Sequence, residues 1–129
     1  MNEEKARVLI IEDDQFIARL IEKILQIQDF EVERAPSGEK GIVQADTEEF
    51  DLIILDFNLP DLDGTEVLKS LNESPRASGT PVILTTAHMK MPFDKEIFGE
   101  RRIVFLEKPF ERSDLIAKVR EIAESSYGP

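Results

Sequence analysis

The chain has 129 residues, of which 41% are hydrophobic and 33% charged, and 27 acids against 16 bases leave a net charge of −11. That size and balance fit one domain with its own core, about residues 7–124, with 125–129 as a tail or the start of a linker. The absence of cysteine excludes disulfides, thiolate metal sites and cysteine catalysis. The acidic balance argues against direct nucleic-acid binding, and no apolar run approaches the roughly 20 residues that cross a bilayer.

The opening Met1–Arg7 is polar and lacks the apolar stretch of a secretory signal, so a cytoplasmic location without membrane contact is expected. Val8–Ile11 is a continuous apolar run that suits a strand buried on both faces. Asp14 is placed to cap a helix reaching about Gln28, with Ile17, Leu20, Ile21 and Ile24 at helical spacing. Phe30–Ala35 alternates and ends at Pro36, which reads as a strand nearer an edge. Ser37 caps a helix from about Gly38 to Thr47, with Ile42 and Ala45 facing inward. Leu52–Leu55 reads as a central strand.

Asp63 with Glu66 has capping-box spacing, and Val67, Leu68 and Leu71 carry that helix to about Glu73. Val82–Leu84 is a fourth strand. Pro92 opens a short helix with Phe93 and Ile97 on one face, ended by Gly99. Ile103–Leu106 is a fifth strand, and Leu115, Val119, Ile122 and Ala123 form the stripe of a last helix. Strand then helix, five times over, predicts a parallel sheet with helices on both faces, a (βα)5 α/β fold. Its ligand site lies outside the carboxyl ends of the strands.

At those ends stand Glu12, Asp13 and Asp14 after the first strand, Asp56 after the third, Thr85 and Thr86 after the fourth, and Lys108 after the fifth. Unit charges about 4 Å apart repel by roughly 4 kcal/mol at an effective dielectric of 20, so converging carboxylates call for counter-charge. Lys108 supplies one positive charge, and a divalent cation with a preference for oxygen supplies more. A carboxylate so placed can act as nucleophile toward phosphorus.

The segments VLIIEDD and DLIILDFNLPDLDG, the pair Thr86-Ala87 and the run LEKPF together resemble the receiver domain of two-component response regulators, over about Arg7 to Glu124. The resemblance implies a flavodoxin-like sheet of order 2-1-3-4-5 and a phosphorelay switch rather than a turnover enzyme. Carried over by position, Asp56 is the phosphoacceptor. Glu12, Asp13, Asp56 and the backbone carbonyl of Asn58 hold Mg²⁺, for which Mn²⁺ substitutes. Thr86 and Lys108 contact the phosphoryl group, Thr86 and Phe105 form the switch, and the Lys108–Pro109 bond is cis. Asp14 remains an alternative to Asp13 in a register shifted by one. The implied partners are a histidine kinase or phosphotransfer protein, and an effector contacted through the helix at 92–98 and the strand at 103–106. A pseudo-receiver, binding without phosphorylation, is the other reading.

Some features depart from the family pattern or add to it. Glu100, Arg101 and Arg102 replace a Gly-Ala-rich turn and form a local basic spot, either a solvated turn or an altered partner surface. Met89, Met91, Phe93, Ile97 and Phe98 are more apolar residues than two turns bury on one face, which suits core packing or an adaptable partner surface. His88, the only histidine, stands two residues after Thr86, where it is a candidate modulator of water access to phosphorylated Asp56.

Overall fold

Because successive strand residues point to opposite faces, a run without polar breaks needs an apolar layer on each side. The computed structural model, which describes residues 5–87, 98–99 and 101–127, has that arrangement. Five parallel strands, β1 (Arg7–Ile11), β2 (Glu31–Ala35), β3 (Leu52–Asp56), β4 (Val82–Thr86) and β5 (Ile103–Glu107), form one sheet of order β2-β1-β3-β4-β5. Leu9 and Ile11 of β1 pack in one core layer, whereas Val8 and Ile10 pack in the other. The first layer is closed by α2 (Gly38–Thr47) and α3 (Gly64–Glu73), the second by α1 (Gln15–Ile27) and α4 (Arg112–Tyr127). The expected order 2-1-3-4-5 is therefore present.

Local chemistry sets the helix ends. Asp14 accepts from the Phe16 and Ile17 amides and caps α1. Asp63 and Glu66 form a reciprocal capping box on α3. Asp29, with φ of 71°, turns the chain out of α1 in the left-handed region, and the Phe30 amide reaches back to the Leu25 carbonyl. Gly64 lies where a Cβ would stand 2.2 Å from the Phe57 ring, so α3 approaches the end of β3 only through glycine.

Three sequence expectations need correction. Leu20 points outward, 44% exposed, because the buried side of α1 is made by Ala18, Ile21, Ile24 and Leu25. β3, β4 and β5 run further than their apolar runs, so Asp56, Thr85 and Thr86 are strand residues rather than residues beyond a strand. The last helix continues through Ser125–Tyr127, which composition alone reads as tail. The predicted short helix from Pro92, with Met89, Met91, Phe93 and Ile97, lies outside the described residues.

The supposed basic spot also divides. Arg102 is exposed, but Arg101 is buried. Its Nε and Nη2 donate to Asn72 Oδ1 at 3.2 and 2.7 Å, and its Nη1 donates to the Thr80 carbonyl at 2.9 Å. Burial alone pushes its pKa down to about 10. Gly99, at φ of 65°, leaves room for Asn72, whose Oδ1 would stand 3.1 Å from a Cβ there. Arg101 thus ties the start of β5 to the end of α3 and to the loop before β4. Arg101→Ala would remove these three bonds to Asn72 and Thr80 and should lower unfolding free energy by about 2–3 kcal/mol in urea titration. A loss below about 0.5 kcal/mol would mean that the bonds contribute nothing net.

Candidate functional site

β1 is followed by a crossover to β2 on one side, and β3 by a crossover to β4 on the other. The crevice between the carboxyl ends of β1 and β3 is therefore the topological switch point, where a sheet of this class holds its ligand. Glu12 and Asp13 leave β1 directly at that crevice, and Asp56 is the last residue of β3. Glu12 is kept in line by its own amide, which donates to the Ala35 carbonyl of β2 at 3.1 Å. Oxygen atoms of Glu12, Asp13 and Asp56 all lie within 4.8 Å of one another. Asp14 is turned to the cap of α1, so the acid at the mouth is Asp13.

Glu12 and Asp56 are buried, whereas Asp13 is exposed. Lys108, the residue after β5, spans the two buried acids, with Nζ 2.9 Å from Glu12 Oε1 and 3.4 Å from Asp56 Oδ2. Glu12 Oε2 accepts from the Asp14 amide at 3.2 Å. Burial pushes the Glu12 carboxyl up to about 7, helped by the charge of Asp56 and opposed by the hydrogen bond from Lys108. Burial also works against the Lys108 charge, but Glu12 and Asp56 outweigh it and hold its pKa above the ordinary value. The ammonium stays charged, and the acids share it.

The neighbouring loop is folded onto Asp56. The Asn58 amide donates to Asp56 Oδ1 at 3.1 Å, a local turn that holds the loop against the carboxylate. Asn58 also bridges to Asp63. In register, Asp56 is opposite Thr85, whose hydroxyl donates to the Leu55 carbonyl at 3.4 Å. Thr86 is one step further, fully buried, and opposite Glu107. The Lys108 amide donates to the Thr86 carbonyl at 2.8 Å, which couples the end of β4 to the lysine. Phe105 lies opposite Leu84, half-buried, with its ring centroid 5.9 Å from that of Phe98. The Lys108–Pro109 bond is cis. His88 lies outside the described residues.

Glu12, Asp13, Asp56 and Lys108 thus meet at one crevice, and Thr86 closes the strand beside it. Phe105 is linked to the site through the β4–β5 pairing. Strand-end reading missed two contacts. One is the pairing of Lys108 with Glu12 at a shorter distance than with Asp56. The other is the Asp61 carboxylate, which accepts from the amides of Gly38 and Glu39 at 3.0 Å and so caps α2 from the loop after β3. Those amide bonds hold its pKa below the ordinary value. The available signal was an Asx residue in a loop flanking the site, which sequence alone assigns to the nearer helix.

No helix among the described residues is long and apolar enough to cross a membrane. Residues 8–120 match the response regulator receiver domain family. The cell cycle response regulator CtrA of Brucella ovis is 36% identical over 122 residues, covering 95% of this chain and 52% of that protein. The cell cycle transcriptional regulator CtrA of Caulobacter vibrioides is 32% identical over 122 residues with the same coverages. The chain spans about half the length of these curated relatives. Among solved structures, the chemotaxis response regulator CheY4 of Vibrio cholerae aligns with a TM-score of 0.84 at 27% identity, over 92% of this chain and 99% of that one. The match along the chain, the sheet order and the acidic crevice agree, and the chain belongs to the receiver domain family of two-component response regulators.

Proposed function

We propose that Asp56 accepts a phosphoryl group from a phosphohistidine protein in a Mg²⁺-dependent step, and that the phosphorylated form switches a protein-interaction surface. The observation that carries this reading is the cluster of three carboxylates within 4.8 Å, with Lys108 bonded to the two buried ones. The all-oxygen donor set suits Mg²⁺, which is held by one or two carboxylates plus water and phosphate oxygens. Asp13, Asp56 and the Asn58 carbonyl would hold it, with Glu12 behind them, since both Glu12 oxygens already accept hydrogen bonds. Mn²⁺ offers similar oxygen chemistry. When bound, the cation supplies neutralisation of the charge spread over the phosphoryl oxygens.

The chain's own residues do the rest. An Asp56 carboxylate oxygen forms the new bond to phosphorus as the donor's bond breaks, and the leaving group departs with its electron pair. Lys108, already charged and 3.4 Å from Asp56, pairs with a phosphoryl oxygen without a change of protonation. Thr86 moves its hydroxyl to the phosphoryl group, and Phe105 turns inward into the space that this vacates. That shift selects between two packings of the β4–β5 end, the effector surface being β5 and the segment before it. His88 shapes water access to the phosphorylated Asp56. The chain turns over no external substrate. Its activity in a longer protein is a matter of what it is joined to; the expectation of no direct nucleic-acid contact concerns this chain alone, since the Caulobacter relative is a transcriptional regulator of about twice the length.

Incubation with Mg²⁺ and acetyl phosphate should add one phosphoryl group to the intact mass of the wild type and none to Asp56→Asn. Lack of uptake by the wild type would leave a phosphorylation-independent binding module as the better reading. Mg²⁺ should also stabilise the fold by relieving carboxylate repulsion. At ten times its Kd the gain is about 1.4 kcal/mol, or roughly 3–6 °C in Tm by calorimetry. The same Tm with chelator and with millimolar Mg²⁺ would count against a metal site in this crevice.

A further inference from the structure

Two of the groups read as cation ligands are held in different ways. Asp56 belongs to β3, and the strand pairing fixes it against β1, where Ile11 lies opposite Leu55. Asn58 stands two residues beyond β3, in the loop that leads to α3. Its amide bond to Asp56 and its bridge to Asp63 both stay within residues 56–63. Neither sets this loop against the half of the crevice that β1 supplies.

Asp61 does. Its two carboxylate oxygens accept one amide each, Oδ1 from Gly38 and Oδ2 from Glu39, both at 3.0 Å. Ser37 Oγ accepts the next amide, that of Lys40, at 3.1 Å. The cap of α2 is thus shared between a local residue and a distant one. Apolar contact surrounds the fork, since a Cβ on Gly38 would stand 3.2 Å from Leu62 Cβ and 3.3 Å from Leu59 Cδ1. Such contact holds loop and helix together without fixing their orientation. Two parallel bonds to one carboxylate do fix it.

α2 is in turn fixed to the β1 half. Its first residue comes three positions after Ala35, whose carbonyl holds the Glu12 amide. One turn on, a Cβ at Gly41 would lie 2.5 Å from Ile11 Cδ1, so helix and β1 meet without a gap. The path from Asn58 through Asp61 and α2 to Glu12 therefore closes the frame of the crevice on the β2 side, opposite the strand that precedes Lys108.

We infer that Asp61 is a positioning residue for the crevice, and that its fork on α2 sets the preference of the site for Mg²⁺ over Ca²⁺. This rests on the reading of Asp13, Asp56 and the Asn58 carbonyl as cation ligands. Mg²⁺ demands near-ideal octahedral geometry at about 2.0–2.1 Å, whereas Ca²⁺ accepts about six to eight oxygens at about 2.3–2.6 Å in flexible geometry. A loop free to drift withdraws a ligand from the strict cation and costs the tolerant one little. Both Asp61 oxygens are engaged on α2, so the residue acts through position and not through coordination.

The test is calorimetric titration of Mg²⁺, and separately of Ca²⁺, into the full unphosphorylated chain as wild type, Asp61→Ala and Ser37→Ala. Ser37→Ala removes the local part of the same cap and leaves the fork in place, so it reports what loosening α2 does by itself. Asp61→Ala should raise the Kd for Mg²⁺ by about tenfold, a usual size for losing a group that orients a ligand. It should raise the Kd for Ca²⁺ by less than about threefold. Ser37→Ala should lower the Tm and leave the ratio of the two Kd values at its wild-type level. An equal loss for both cations would mean that Asp61 acts through its charge or through the folded fraction, and overturns the proposal. A Mg²⁺ loss in Asp61→Ala no larger than in Ser37→Ala overturns it as well. If circular dichroism shows Asp61→Ala unfolded, Asp61→Asn, which keeps one acceptor oxygen, takes its place under the same two criteria. A wild type that binds no Mg²⁺ at millimolar levels overturns the metal reading first, and this one with it.

Discussion

Two buried carboxylates and one ammonium at a single crevice are the constraint around which the rest of this chain is arranged. Glu12 and Asp56 are 3% and 5% exposed, where an unpaired charge is costly. Lys108 reaches both, yet it offsets one charge, and burial still pushes the Glu12 carboxyl up to about 7. The crevice therefore holds more negative charge than the protein itself neutralises. Folding tolerates this because the surrounding core is large and apolar on both sides of the sheet.

That core also explains the placement of the charges. β1, β3 and β4 lie at the centre of the sheet with nearly every side chain buried. Their backbones are fixed by ladders on both sides, so residues at their carboxyl ends are held to a fraction of an ångström with little help from loops. Lys108 comes from the edge strand β5 and needs separate support. It receives that support from its amide bond to Thr86 and, at the far end of the strand, from the buried Arg101 clamp on Asn72 and Thr80.

The sheet and the crevice were legible in the sequence because the signals are local. Val8–Ile11, Leu52–Leu55 and Val82–Leu84 are runs that only a two-sided strand accommodates, and the carboxylates Glu12 and Asp56 and the hydroxyls Thr85 and Thr86 follow directly after them. Legibility ended where a side chain's partner is distant in sequence. Leu20 has the right spacing for burial, but Ala18 and Leu25 take the inner positions, since small and large residues bury equally well when helix and sheet approach closely. Arg101 reads as a surface cation until its acceptors on α3 and before β4 are known. The extra strand residues Asp56, Thr85 and Thr86 continue the ladder beyond the apolar runs, because pairing depends on the backbone and not on the side chain.

Asp61 gives one more consequence. It belongs to the loop that carries Asn58 past Asp56, yet its carboxylate satisfies the first amides of α2, more than twenty residues earlier in the chain. Loop and helix are thus one exchangeable unit, although they are encoded apart. A chimaera of two relatives with its crossover between α2 and β3 inherits the cap from one parent and the amides from the other. Recombination within such a fold is safest where the crossover leaves 38–61 from a single parent.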